Sequence, residues 1–170
     1  KNTGGMGAYS ASRLINDELE KKIINKIIRP TLEGLSTLGI KYKGFLYTGL
    51  MIVENEPYLI EYNVRMGDPE CQTLLPMLKT KLLDVILACC DEKLNEINID
   101  WLDMKSICIV VCSKGYPDEF QKNIEIDKIN EINLNNNEYL FHAGTSKKNE
   151  KVYAVGGRVL NFVSISDNFN

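Results

Sequence analysis

"GFLYTGLMIVENEPYLIEYNV", residues Gly44–Val64, decides the fold of the first part of the chain. Two apolar, β-leaning runs, Gly44–Val53 and Tyr58–Val64, flank the polar turn "ENEP". This pattern is typical of an antiparallel hairpin. The second run continues into "RMGDPE", so the hairpin leads directly into a charged segment.

Helical patterns lie on both sides of this hairpin. Residues 16–38 carry apolar side chains at near-helical spacing, and Pro30 in the middle must kink or split the helix. The run "KTKLLDVILACCDEKL", residues 79–94, has an almost entirely apolar middle and predicts a second, largely buried helix.

A polar, mixed stretch near residues 100–105 separates this part from a strand-rich one. Beyond it, four runs predict strands: "SICIVVCS", "NEYLFHAG", "KVYAVGG" and "RVLNFVSIS". We therefore predict an α+β fold in two parts, with a boundary between residues 102 and 103. The second part, 103–170, is expected to be small and mainly β.

Composition narrows the class of protein. The 170 residues are 44% hydrophobic and 25% charged with a net charge of -3, which is typical of a soluble globular chain. Its dispersed lysines do not predict nucleic-acid binding, and no apolar run approaches the ~20 residues of a membrane helix. Five cysteines in no zinc-binding pattern indicate reduced thiols and a cytoplasmic location. The glycine loop at Lys1 and the polar end at Asn170 suggest a segment of a longer protein.

The end of the hairpin carries the first candidate site. Strand side chains alternate between two faces, so Glu61, Asn63 and Arg65 are expected to share one face. A carboxylate and an amide oxygen suit Mg²⁺, and a guanidinium suits phosphate or carboxylate. Asp68, beyond Gly67, could bind an amine or steer a metal-bound water. The alternative is a solvated strand edge.

The glycine loop "TGGMGAYS" is the second candidate site. Glycine backbones can fold around an anion and expose their N–H groups to it, and the glycines here are Gly4, Gly5 and Gly7. The loop matches neither a P-loop nor a dinucleotide-binding fingerprint, so a structural turn is the alternative. His142 and Arg158 are interpreted as structural residues.

Together these motifs resemble one family. "NTGGMGAYS", "GFLYTGLM", "LIEYNVRMGDPECQ", "KGYP", "FHAGT" and "GGRVL" occur in the order found in glycinamide ribonucleotide synthetases, which are ATP-grasp enzymes of purine biosynthesis. The resemblance implies that residues 1–102 are the latter part of an ATP-grasp domain, an antiparallel sheet with helices. Residues 103–170 would be most of the small C-terminal domain, and the N-terminal part of the enzyme would precede Lys1.

The resemblance also implies a reaction and its participants. The family uses ATP to join glycine to 5-phosphoribosylamine through a glycyl phosphate, releasing ADP and phosphate. Neither nucleic acid nor membrane takes part. Mg²⁺, or Mn²⁺ in its place, accompanies ATP. A segment without the nucleotide clamp of the missing half is expected to be inactive alone.

Roles follow for the residues in these motifs. Glu61 and Asn63 would bind the metal, and Arg65 would steady the transferring phosphoryl group. Asp68 would contact the substrate amine or position another group. The loop glycines would hold substrate or phosphate, namely Gly4, Gly5 and Gly7. Two alternatives stay open: another ATP-grasp carboxylate–amine ligase, and a non-catalytic anion-binding module.

Overall fold

The computed structural model describes residues 1–10 and 14–169, and the chain divides into two compact units. Unit 1 combines Lys1–Ala11, Asp68–Met77 and Leu102–Asn170; unit 2 combines Ser12–Gly67 and Leu78–Trp101. Each unit therefore draws on segments that are distant in sequence. The linear division into residues 1–102 and 103–170 stays a prediction.

The described residues form strands and short helices, which confirms the α+β class. The strands are β1 (Gly7–Ser10), β2 (Tyr47–Val53), β3 (Glu56–Asn63), β4 (Lys105–Cys112), β5 (Ile124–Glu125), β6 (Glu138–His142), β7 (Thr145–Lys148), β8 (Lys151–Ala154) and β9 (Arg158–Ser166). The helices are α1 (Asp17–Ile23), α2 (Arg29–Thr37), α3 (Glu70–Leu74) and α4 (Leu82–Cys90). No helix in this part of the chain is long and apolar enough to cross a membrane.

Unit 2 is built around the predicted hairpin. Strands β2 and β3 pair antiparallel, and their register shifts between Gly49 and Leu50. The helical segment does not split in two at Pro30: a π-helical turn, Ile24–Ile28, joins α1 to α2 without a break. Because proline has no N–H to donate, the wider turn accommodates it without ending the helix. The Thr31 hydroxyl donates to the Ile27 carbonyl at 2.7 Å, which satisfies a backbone acceptor there.

The prediction of a long, largely buried second helix was wrong. Helix α4 spans only Leu82–Cys90, and among its residues Ala88 alone is buried. Leu83 and Leu87 are 63% and 53% exposed. Apolar composition alone does not bury a helix, since burial also needs packing elements on every side.

Unit 1 contains a four-stranded antiparallel sheet in the order β1-β4-β9-β6. Alternation along β4 turns Cys108 and Val110 to a buried face, where Val163 and Ile165 of β9 lie beside them. Helix α3 packs against this sheet, and its Thr73 is 1% exposed. A second sheet, β5-β8-β7, completes the unit. Unit 1 also contains elements that the sequence analysis does not predict, namely edge strand β1 ("GAYS"), helix α3 after "GDP", and the short strands β5 and β7.

Candidate functional site

The first cluster of candidate residues lies on the hairpin of unit 2. Glu61 and Asn63 belong to β3, and the Asn63 Nδ2 donates to the Glu61 Oε1 at 3.0 Å. The two side chains therefore point to the same side of the strand, as alternation predicts. Glu61 is exposed and Asn63 is half-buried.

Contacts with the helices and with β2 show which side of the hairpin Glu61 and Asn63 face. The Tyr62 hydroxyl is hydrogen-bonded to Thr31 of α2, so the helices cover the side of Tyr62. Glu61, the next residue along, points to the opposite side. It pairs across the strands with Gly49, where an added Cβ would lie 3.1 Å from the Glu61 Cγ. The shift in register leaves Ile60 without a partner on β2, a bulge of the kind that re-aims neighbouring side chains.

Arg65 does not extend this strand. Strand β3 ends at Asn63, and Arg65 lies in a bend where its Nη1 donates to the Met66 carbonyl at 2.9 Å. Alternation therefore cannot fix the direction of the guanidinium relative to Glu61, contrary to the sequence expectation.

The chemistry of this pair fits a divalent ion. The structure gives no hydrogen-bond donor to the Glu61 Oε2 or the Asn63 Oδ1 among the described residues, so one carboxylate and one amide oxygen can act as ligands. In residues 1–10 and 14–169, no group of three or more His, Cys, Asp or Glu side chains is placed to hold a metal. One carboxylate and one amide oxygen are ligands of the kind that Mg²⁺ accepts, since it binds few protein oxygens and keeps several waters.

The second cluster lies in unit 1 and centres on Asp68. Its Oδ2 lies 2.8 Å from the Arg158 Nη2, and its Oδ1 accepts from the Gln72 Nε2 at 2.8 Å. The Arg158 Nη1 also donates to the Asp68 carbonyl at 2.7 Å and to the Gly5 carbonyl at 3.1 Å. Both carboxylate oxygens are therefore already engaged within the protein, which favours a positioning role for Asp68 over direct binding of an amine.

The loop glycines pack closely in this cluster. An added Cβ at Gly4 would lie 2.8 Å from the Arg158 Cζ, and one at Gly5 would lie 2.6 Å from the Pro69 Cδ. The Gly4 N–H donates to the Tyr116 hydroxyl at 3.0 Å. That N–H is therefore already bound, and both glycines are needed for close packing.

Gly7 is placed differently. It pairs with Ile109 on edge strand β1, and the Met6 carbonyl before it accepts from the Val110 N–H at 3.0 Å. This pattern puts Gly7 in a non-hydrogen-bonded pair, so its N–H points away from β4 toward the open edge of the sheet. Of the loop glycines, Gly7 thus directs its N–H outward.

Burial favours the neutral form of two cysteines near this cluster. Burial raises the pKa of Cys108 to about 11. Burial also raises the pKa of Cys71, with a further contribution from the Asp68 carboxylate. Since the thiolate is the reactive form, burial makes both thiols less nucleophilic than an exposed cysteine.

Sequence reasoning missed the residues that organise this second cluster. Arg158 was interpreted as structural, and Tyr116 and Gln72 were not singled out. The available signals were the glycine pair before Arg158 and the Tyr-Pro and Asp-Pro turns. His142 is exposed, and its Nδ1 lies 3.0 Å from the Thr145 Oγ1, which agrees with a local role in its turn.

Comparisons with known proteins identify relatives over most of the chain. Residues 1–71 match the family model described as phosphoribosylglycinamide synthetase, ATP-grasp (A) domain, and residues 106–170 match the C domain of the same enzyme. A phosphoribosylamine–glycine ligase of Caldanaerobacter subterraneus is 40% identical over 168 residues, which are 99% of this chain and 40% of the relative. One from Vigna unguiculata is 44% identical over 163 residues, covering 94% of this chain and 52% of the relative.

A solved structure is similar as well. The crystal structure of phosphoribosylamine–glycine ligase from Thermotoga maritima matches 99% of this chain with a TM-score of 0.80 and 31% sequence identity. The match covers 41% of that chain. The present chain thus spans about two-fifths of the length of several relatives that it matches.

Proposed function

The chain belongs to the phosphoribosylglycinamide synthetase family, as its motifs predicted, and we propose that it forms part of an ATP-dependent ligase that joins glycine to 5-phosphoribosylamine. The observation that carries this proposal is the Glu61–Asn63 pair. It lies on the side of the hairpin away from the helices, within the residues matched by the ATP-grasp model. Names of relatives support the same reaction, a step of purine biosynthesis.

The proposed reaction explains why such a pair is needed. A carboxylate is a poor electrophile, so an oxygen of glycine first attacks the γ-phosphorus of ATP, and ADP leaves. The amine of 5-phosphoribosylamine then attacks the carbonyl carbon of glycyl phosphate, and phosphate leaves. Phosphoryl transfer depends mainly on positioning and on neutralising the charge on the phosphoryl oxygens.

The residues of this chain would share that work. Glu61 and Asn63 would hold Mg²⁺, or Mn²⁺ in its place, and the ion would neutralise charge on the phosphate oxygens when bound. The Arg65 guanidinium would pair with the phosphoryl group. The outward N–H of Gly7 would donate to a substrate oxygen, and Asp68 would keep the neighbouring loop in place.

The proposed reaction also requires the rest of the enzyme and a suitable cellular compartment. Since relatives are longer, we infer that residues outside this chain complete the nucleotide site and that the segment alone is inactive. All five cysteines are free, which fits a reducing, cytoplasmic compartment. Its partners would be the small-molecule substrates and the remainder of the same enzyme.

The test uses the complete polypeptide that contains this chain. ADP release is measured with ATP, Mg²⁺, glycine and 5-phosphoribosylamine, and then with other carboxylic acids and amines. We expect release that requires glycine, and a loss of ~10²-fold or more in Glu61→Gln, because the change removes a charged metal ligand. Glu54→Gln, in the turn of the same hairpin, is the matched control.

Each alternative has its own outcome. ADP release that requires a different acid would identify another carboxylate–amine ligase. Unchanged turnover in Glu61→Gln would contradict the assigned metal site. If no acid or amine promotes ADP release, the anion-binding module is favoured.

A further inference from the structure

Arg158 stands at the start of β9, a strand of unit 1 that is paired on both sides. Strand β9 is hydrogen-bonded to β4 on one side and β6 on the other. The Arg158 carbonyl accepts from the Gly144 N–H at 2.9 Å, and the carbonyl of Gly157 before it accepts from the Ser113 N–H at 2.7 Å. The base of the side chain is therefore fixed by main-chain bonds to two neighbouring segments.

The guanidinium connects this base to two segments far away in sequence. It reaches the Gly5 carbonyl, 153 residues away, and both the carbonyl and the carboxylate of Asp68, 90 residues away. These contacts use three of its five N–H groups. The side chain is 24% exposed, so the ion pair with Asp68 is partly shielded from water.

Glycines next to the guanidinium leave the space that it occupies. Gly4 lies against it so closely that a Cβ would be 2.9 Å from the Nε and 3.1 Å from the Nη2. Gly5 similarly leaves room for Pro69, which follows Asp68. A planar, forked donor can bind two carbonyls and a carboxylate at once, whereas a lysine ammonium cannot reproduce that geometry.

Replacing both members of a shielded ion pair by apolar residues is often neutral or stabilising, whereas replacing Arg158 alone would leave the Asp68 carboxylate without its cationic partner. A shielded ion pair is therefore weak evidence of a stabilising role, and among the described residues the Arg158 guanidinium contacts the glycine loop and the Asp68 turn. These are the two segments of unit 1 that carry candidate substrate-binding groups.

We propose that Arg158 is a positioning residue for the ligase reaction. It holds the Asp68 turn and the glycine loop in the arrangement that presents the outward N–H of Gly7 to substrate. This inference rests on the proposed function. No bond to substrate is required of Arg158 itself.

The test compares Arg158→Lys and Arg158→Ala with wild type in the complete ligase. Steady-state kinetics are measured for each substrate with and without added guanidinium ion at millimolar concentration. We expect kcat/KM to fall ~10–100-fold in Arg158→Lys and further in Arg158→Ala, because small displacements of a binding group cost about that much. Guanidinium should restore several-fold activity to Arg158→Ala only. Lys151→Gln, which breaks the exposed 2.9 Å ion pair with Glu125, is the control and should leave the kinetics unchanged.

Hydrogen exchange separates this inference from the proposed function. In Arg158→Lys, amides of residues 3–7 and 66–72 should exchange faster, while those of β6 keep the wild-type rate. If wild type shows no glycine-dependent ADP release, the proposed function fails, whereas faster exchange in Arg158→Lys still shows that Arg158 holds the two segments in place. Wild-type kinetics in a folded Arg158→Lys variant would overturn the proposal, and so would unchanged exchange in both segments. If Arg158→Ala does not fold, the lysine variant decides by the same criteria.

Discussion

The hairpin cluster of unit 2, Glu61 and Asn63, and the loop cluster of unit 1 around Asp68 and Arg158 are organised in opposite ways. Glu61 and Asn63 are two residues apart on one strand, and their geometry follows from strand alternation. Arg158 contacts groups 90 and 153 residues away, so the loop cluster exists only when the sheet of unit 1 has formed.

This difference predicts how each cluster responds to substitutions. In the hairpin cluster Glu61 is exposed and Asn63 is half-buried, so these side chains can be replaced without disturbing a core. In the loop cluster, glycines, a turn and an ion pair share one tightly packed space. A small change there is expected to affect stability as well as function.

Alanine at two glycines gives the largest expected contrast between the clusters. Gly5→Ala should destabilise the protein by about 1–3 kcal/mol, because its Cβ would lie 2.6 Å from the Pro69 Cδ and 2.9 Å from the Asp68 carbonyl oxygen. Gly49→Ala should cost less than about 1 kcal/mol, because its nearest neighbour at 3.1 Å is the flexible Glu61 side chain. Urea denaturation of both variants measures the difference.

Gly34→Ala is the control for this comparison. Gly34 lies in α2, and outside its own helix backbone no atom of the described residues lies within 4 Å of an added Cβ, so alanine should stabilise the protein slightly. If Gly5→Ala and Gly49→Ala lower the free energy of unfolding equally, the two clusters do not differ in packing as described.

Thiol reactivity gives a second contrast between the units. Cys108 of unit 1 is 1% exposed with a pKa raised by burial to about 11, whereas Cys90 of unit 2 is exposed. At pH 8 only ~10⁻³ of such a buried thiol is thiolate, so Cys90 should react with a disulfide reagent at least ~10²-fold faster. Peptide mapping after timed labelling checks this, with urea-unfolded protein as the control in which the rates converge. Fast labelling of native Cys108 would mean that the sheet face opens readily.

The smallest expected effect concerns an exposed anchor of the hairpin. Hydrogen bonds from Lys26 and Lys22 lower the pKa of Glu56 from its ordinary value of 4.5. The folded state thus keeps this carboxylate charged to lower pH than the unfolded state does. Its contribution to stability is present above pH 4.5 and is lost as the pH falls through the lowered pKa.

Urea midpoints measured between pH 3 and 7 check this prediction. Below the ordinary pKa, the midpoint of wild type should fall slightly more steeply than that of Glu56→Gln. Parallel curves for the two proteins would show that the ion pairs seen with Lys22 and Lys26 contribute nothing in solution, as happens with some exposed pairs.

Much of the fold was predictable because its signals are local. Strand β9 spans Arg158–Ser166, the same residues as the quoted run, the hairpin follows from the apolar pattern, and the irregular π-helical turn lies just before Pro30. Strand β1 was missed because four residues with one glycine carry little β signal, and its pairing with β4 supplies the rest. The burial of α4 was overestimated because composition does not report which neighbours a helix has.

The sequence by itself determined the α+β class, the hairpin, the family resemblance and the pairing of Glu61 with Asn63, since each depends on residues close together in the chain. Only the tertiary structure decided that Arg65 leaves the strand, that Tyr116 binds the Gly4 N–H, and that Arg158 joins Asp68 to Gly5. These last contacts span up to 153 residues. No local pattern encodes them, because they arise when strands from both ends of the chain pair in one sheet.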